Sequence, residues 1–372
     1  MTAPILSYLQ AANKTLAATL ASKGRLRIVS GNQSADLDSV VSAITYAYFH
    51  HVAHPTIPII PLINIPRADL NLRKDIVYAL GKQAITVDLL YFVEDFHKID
   101  PTLIDLVLVD HCAPQGDLRH FTNVISIIDH HDDENMFLDA QPRIIEKSGS
   151  CSCLVFNYWY DVLTKGSVST AVFADVMDIL VAPLLTDTGN MSNKVEPADI
   201  AAFDKYSAIA PFLNFAAYAD ELKQQKKDLS GLTLSEILRK DYKAYEFQTA
   251  SDGIKTVGIS SMPKSFSYFF KNFSTIEAEV KEWGVHQKLD LVCMMASDKK
   301  VEFVRQIAFY DFVDDVLSDK IAGLLRQELQ LESLDTSKSN EVFKTLKFYK
   351  QLNVAASRKQ VAPAMKEAVS RL

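Results

Sequence analysis

The chain has 372 residues, 48% apolar and 23% charged, with a formal charge of −7; this length exceeds what one core usually supports, so two domains are expected. No apolar run approaches the roughly 20 residues that span a bilayer, and the acidic balance argues against a nucleic-acid module, which is usually basic. Residues 1–210 hold 15 Lys+Arg against 24 Asp+Glu, and residues 211–372 hold 24 against 22, so a half suited to cations precedes one suited to anions. Near the start, Ile5, Leu9 and Leu16 recur at helical spacing and no apolar signal core is present, which reads as a surface helix. A cytoplasmic location is the expectation, with a mitochondrial fraction allowed because no acidic residue precedes Asp36. Cys112, Cys151, Cys153 and Cys293 are too few for a disulfide framework and read as buried thiols.

Residues 26–30 form the first apolar strand. It runs into Gly31-Asn32-Gln33-Ser34-Ala35-Asp36-Leu37-Asp38 and then a helical pattern from 40 to 51. Strand, glycine-containing loop and helix is the ligand-binding turn of a doubly wound sheet. Further strands are predicted at 57–65, 89–93, 106–109 and 124–128, with a helix over 69–80. From 151 the pattern turns helical, at 151–163, 170–185 (where Pro183 should kink or end the helix) and 197–208. A mixed stretch over 212–229 reads as a linker helix. Strand-like runs return at 255–260, 289–295 and 301–308, with helices at 273–282 and 314–330. The fold class is therefore α/β: a parallel doubly wound domain over 1–210, a linker over 211–228 and a smaller α+β domain over 229–372.

Several strand ends of the first domain finish on potential ligands. Asp36 and Asp38 follow the first strand, Asp110 the fourth and Asp129-His130-His131 the fifth. Asp187 closes a helix. A core strand has no packing reason to stop on a carboxylate and two imidazoles. Oxygen-rich sets with a few imidazoles and no thiolate suit Mg²⁺ or Mn²⁺. The two aspartates of the D-x-D turn can serve different ions, and Asp110 is suited to bridge them. Two such ions activate a water and clamp an in-line phosphoryl displacement.

This set, in this order, resembles the DHH phosphoesterase superfamily. Asp241-Tyr242-Lys243 and Ser357-Arg358-Lys359 resemble the second domain of its pyrophosphatase, exopolyphosphatase and prune branch. The resemblance covers nearly the whole chain and implies an active site in the interdomain cleft. It implies one ion on Asp36 and Asp110 and another on Asp38, Asp110, His130 and Asp187, with His131 facing the substrate phosphate. Asp129 is expected to orient His130. Lys243, Ser357, Arg358 and Lys359 would hold phosphates, Gly149 and Ser150 would offer backbone N–H groups, and Arg67 and Arg73 are further candidate phosphate contacts. One departure stands out. The pyrophosphatase branch opens its first motif with Gly-His, where this chain has Gly31-Asn32, so Asn32 is expected to hydrogen-bond phosphate or a metal-bound water. Hydrolysis of terminal phosphate from inorganic polyphosphate is the implied reaction, by a monomer with no membrane or nucleic-acid partner. The alternatives are a prune-type enzyme for short polyphosphates or cyclic nucleotides, an inorganic pyrophosphatase, and a catalytically weak protein-binding scaffold. His111 and Asn190 receive no role from the sequence.

Overall fold

A computed structural model describes residues 4–22, 24–97, 99–251, 253–299, 302–313 and 316–372. The chain divides into two units, Met1–Asp228 and Leu229–Leu372. The helix Phe215–Lys227 belongs to the first of them. Its Tyr218 and Leu222 lie in that unit's core, so the segment read as a linker is packed there.

The first unit carries six parallel strands: β1 (Leu26–Ser30), β2 (Ile59–Ile63), β3 (Tyr91–Phe92), β4 (Ile104–Val109), β5 (Val124–Asp129) and β6 (Arg143–Ile145). Their spatial order is β3-β2-β1-β4-β5-β6, so the winding reverses between β1 and β4. In such sheets ligands bind at the carboxyl ends of the strands flanking that reversal. Side chains alternate between two cores, as the two-residue period of a strand requires. Leu106 and Leu108 enter one core, while Val107 and Val109 enter the other. The second core also takes the helix Leu37–Ala53, buried almost all round, together with Cys151–Lys165 and Met177–Asp187.

The differences from the sequence reading have local causes. The helix expected over 69–80 is two helices, Arg67–Leu70 and Lys74–Gly81. Pro183 sits inside Met177–Asp187 without ending it, and the break falls earlier, after Ala171–Ala174. β6 is three residues long and too short to show a period. All four cysteines are buried and free.

The second unit holds a sheet ordered β11-β12-β10-β9-β8-β7, from β7 (Tyr242–Gln248), β8 (Ile254–Met262), β9 (Leu291–Lys299), β10 (Phe303–Asp311), β11 (Leu331–Ser333) and β12 (Lys347–Gln351). Among the described residues, only the β8–β9 pairing of this sheet is parallel. Phe266, Phe269 and Phe270 are buried. Val301 and Asp314, which open an expected strand and helix, lie outside the described residues. Among the described residues no helix is long and apolar enough to cross a membrane.

Candidate metal centre

The aliphatic run of β4 ends at Asp110, whose backbone is left-handed at φ +62°. That conformation is uncommon for a residue with a side chain and tends to mark functional sites. The amide of Asp110 donates to the Ile128 carbonyl at 3.0 Å, tying it to the neighbouring strand. Asn32, across the sheet's reversal, donates from Nδ2 to Asp110 Oδ2 at 2.8 Å and to the Asp110 carbonyl at 3.1 Å. Ser39 Oγ donates to the same Oδ2. The Asn32 carbonyl oxygen accepts from Ser34 N at 2.8 Å, which fixes the amide's orientation. Asn32 is thus engaged with the carboxylate at the centre of the site, where the sequence suggested phosphate or a metal-bound water. Gly31 is required beside it, because a Cβ there would lie 2.6 Å from Ser39 Cβ.

Both histidines approach Asp110 Oδ1, His130 through Nε2 at 3.2 Å and His131 through Nδ1 at 3.7 Å. Among the described residues, Asp110, His130 and His131 form a group whose ligand atoms lie within 4.8 Å of one another. His130 Nδ1 meets the Ser148 carbonyl at 2.8 Å. A carbonyl only accepts, so the proton sits on Nδ1 and the lone pair of the neutral ring is on Nε2. The expectation for Asp129 needs correction. Its Oδ1 takes His131 Nδ1 at 2.8 Å and the amides of His130 and His131, so its side chain orients the ring of His131. His111 is buried with Nδ1 on the Val109 carbonyl at 2.9 Å. Burial pushes it down to about 4 and keeps it neutral.

Asp38 is buried at the amino end of the helix Cys151–Lys165. It accepts from Cys151 N at 2.7 Å, Ser152 N at 2.8 Å and Ser150 Oγ at 2.8 Å. Asp36 caps its own helix, accepting from Ser39 N at 3.1 Å. The carboxylates still feel one another. Burial raises Asp38 to about 7, with Asp110 and Asp36 adding to the rise and His130 opposing it. Burial likewise raises Asp187 well above the usual range, then Asp38 and Asp36 raise it further. Asp110 is raised by burial and by Asp36 against the pull of His130. His130 ends at about 9: burial lowers it, and the bond to Asp110 with the charges of Asp38 and Asp110 more than reverses that. His130 and Lys226 offset the mutual repulsion of these acidic groups only in part, and a divalent cation would relieve the rest. The donor set fits such an ion.

Other candidates are engaged elsewhere. The N–H groups of Gly149 and Ser150 donate to Asp199 at 2.6 and 3.3 Å. Asp199 also takes Ser148 Oγ at 2.7 Å and Glu196 N at 2.8 Å. The expected phosphate cradle is therefore a clamp closed by a buried carboxylate. Sequence reading missed Asp199 because a reach of fifty residues leaves no local signal; its place in the first turn after Pro197 marks only a helix start. Arg67 pairs with Asp95 at 2.6 Å, donates to the Val87 and Leu90 carbonyls and covers the Phe92 ring, so the geometry gives it a structural job in place of a phosphate contact. Arg73 donates to the carbonyls of Asp69 and Ser34 at 3.0 Å and braces the loop that carries Asp36. In the second unit, Arg358 holds Asp241 through Oδ1 at 2.7 Å and its carbonyl at 3.0 Å, so that unit's two motifs meet. Ser357 caps the helix Arg358–Ser370 with Gln360, which carries Lys359, and Lys243 lies in β7 opposite Ile259.

Comparison with known proteins identifies the family. A family profile described as "DHH family, N-terminal domain" matches residues 27–182, and one described as "DHHA2 domain" matches 220–368. The chain is 33% identical to a Schizosaccharomyces pombe protein named "Putative exopolyphosphatase", over 96% of this chain and 94% of that one. It is 29% identical to Homo sapiens "Exopolyphosphatase PRUNE1", over 93% and 76%. It is 23% identical to a manganese-dependent inorganic pyrophosphatase of Methanocaldococcus jannaschii, over 73% and 83%. Among solved structures, a Methanococcus jannaschii protein titled a "putative family II inorganic pyrophosphatase" shares the fold, at TM-score 0.59 and 20% identity, covering 92% of this chain and 99% of that one.

Proposed function

The chain belongs to the DHH family, and from that premise we propose that it is a metal-dependent exopolyphosphatase that releases orthophosphate from the end of inorganic polyphosphate. The observation that carries this reading is the convergence of Asp110, His130 and His131 at the sheet's reversal, beside carboxylates that raise one another's pKa. Asp36 and Asp110 would hold one divalent ion, and Asp38, Asp110, His130 and Asp187 a second, with Mg²⁺ or Mn²⁺ suited to the oxygen-rich set. Bound ions supply Lewis acidity for an in-line displacement at phosphorus.

The chain's own groups do the rest. Asn32 and Ser39 hold the Asp110 carboxylate in one orientation. Ser148 fixes the His130 tautomer. Asp129 sets the ring of His131, whose raised pKa keeps a proton available for a phosphate oxygen or the leaving group. Lys243, Arg358 and Lys359 serve the polyanion, arginine through its planar fork and lysine as a point charge.

Replacement of the pyrophosphatase histidine by Asn32, whose amide is engaged with Asp110, supports a substrate longer than pyrophosphate. The test is orthophosphate release from long polyphosphate, pyrophosphate and a cyclic nucleotide with Mg²⁺, Mn²⁺ or chelator. Release from long chains that stops on chelation is expected. Turnover of pyrophosphate or a cyclic nucleotide alone would sink the proposal.

A further inference from the structure

The first unit brings a cation of its own to the metal centre. Asp187 ends the helix Met177–Asp187, and the helix Phe215–Lys227 packs along it. Contacts at their starts give the register of the pair. Gln83 Nε2 donates to Asp178 Oδ2 at 3.5 Å, and the neighbouring Lys82 holds its ammonium 5.3 Å from the centre of the Tyr218 ring. Tyr218 therefore lies near Asp178; burial raises its hydroxyl, and the charge of Asp178 adds to that rise. At the other end Lys226 opposes the rise that burial, Asp38 and Asp36 produce in Asp187, so the two helices run in the same direction. The spans match. At 1.5 Å per residue, Asp178 to Asp187 is roughly 13 Å and Tyr218 to Lys226 roughly 12 Å.

A second set of contacts places the same end of the helix. Tyr218 and Leu222 enter the core of the unit, and Lys226 follows Leu222 by one more turn on that side. Just beyond it, Asp228 pairs with Lys74 at 2.7 Å. Arg73, next to Lys74, donates to the Ser34 carbonyl in the loop that carries Asp36. Asp187 on one side and the Asp36 loop on the other thus put Lys226 at the edge of the metal centre. Its side chain is exposed.

A lysine in the last turn complements the helix dipole wherever it points, and Lys227 does so equally. That role asks for no position beside Asp187. An ammonium close to carboxylates that gather divalent ions opposes their loading, because like charges repel more strongly the nearer they lie. The opposition becomes support once an anion lies between, and the anion that a two-ion centre of this kind clamps is a phosphate. Lysine suits the task as a point charge on a flexible stem.

We propose that Lys226 is a phosphate contact of the metal centre, contributed by the first unit itself. The inference rests on the reading of that centre as one that handles phosphate. Its ammonium pairs with a phosphate oxygen of the bound substrate on the side of Asp187.

Orthophosphate is titrated by calorimetry into the full chain loaded with Mn²⁺, as wild type, Lys226→Gln and Lys226→Arg. Lys226 is exposed, so both variants keep the fold. Lys226→Gln is expected to bind orthophosphate at least about tenfold more weakly, and Lys226→Arg to restore most of the loss. Mn²⁺ affinity without phosphate should be equal or tighter in Lys226→Gln, since a like charge has been removed. Equal orthophosphate affinity in wild type and Lys226→Gln overturns the proposal, as does absence of saturable binding by the wild type. Weaker Mn²⁺ binding in Lys226→Gln also overturns it, because the lysine would then support the metal loops. The two readings fail separately. A chain that binds orthophosphate through Lys226 yet releases none from polyphosphate loses the proposed function and keeps the contact. A chain that turns over polyphosphate with the same KM in Lys226→Gln keeps the function and loses the contact.

Discussion

At Asp110 the backbone accepts a left-handed conformation that costs a residue with a side chain about 1–2 kcal/mol. The return is a carboxylate aimed so that Asn32, Ser39 and His130 all reach it. Asp129 does the same for His131, and Asp129→Asn should lower kcat about 10- to 100-fold while leaving the thermal transition close to wild type; an unchanged kcat would remove Asp129 from the mechanism. Titration of the centre gives a second expectation. His130 rises from an ordinary 6.5 to about 9 on folding, so its contribution is complete below 6.5 and is lost as pH climbs through 9. The raised carboxylates act in the same direction, since a folded state that holds protons more tightly loses stability as pH rises. His50 and His111, lowered to about 3 and about 4, oppose this only below 6.5. Between pH 7 and 9 the chelated protein should therefore lose melting temperature, and the gain on adding Mn²⁺ should widen. Calorimetric scans at pH 7, 8 and 9 with and without metal check it, and a gap that narrows with pH contradicts it.

At the scale of elements, the site depends on helix starts and loops that lock onto one another. Asp38 caps the amino end of Cys151–Lys165, where a carboxylate also suits the helix dipole. Asp199 closes the Ser148-Gly149-Ser150 turn whose carbonyl holds His130. Asp199→Ala strips an acceptor from four donors in a buried place. It should cost about 3 kcal/mol or more and weaken metal binding through the loosened Ser148 carbonyl. Denaturant titration and Mn²⁺ calorimetry read the two effects, and loss of stability without loss of metal affinity would separate the turn from the site. Gly149 admits no side chain there, since a Cβ would lie 2.5 Å from the Lys194 carbonyl.

At the scale of the molecule, the two units differ in charge. The first is acidic, and the second carries Lys243, Arg358 and Lys359. The Arg358–Asp241 pair is partly exposed, and exposed pairs are worth about 0–1 kcal/mol. Arg358→Gln should thus leave stability nearly unchanged yet raise KM for polyphosphate at least about tenfold, because a phosphate contact is charge-assisted. A KM equal to wild type would confine Arg358 to holding Asp241.

How much of this was legible in advance follows from the range of each interaction. Apolar runs that end on Asp110 and on Asp129-His130-His131 are local facts of the chain, and they were enough to give the parallel sheet and to point to a divalent metal. Which strand residue enters which core was left to the packing, because a run that is aliphatic on both faces shows no alternation to read. Partners could not be read in the same way. Asn32, Arg67, Gly149 and Ser150 each looked like a phosphate contact because a polar group in a loop shows what it can donate, never what it meets. Only the tertiary fold brought Asp110 to Asn32 and Asp199 to Gly149, and hydrogen bonds are satisfied by whatever lies within 3 Å in space, a distance on which sequence separation is silent.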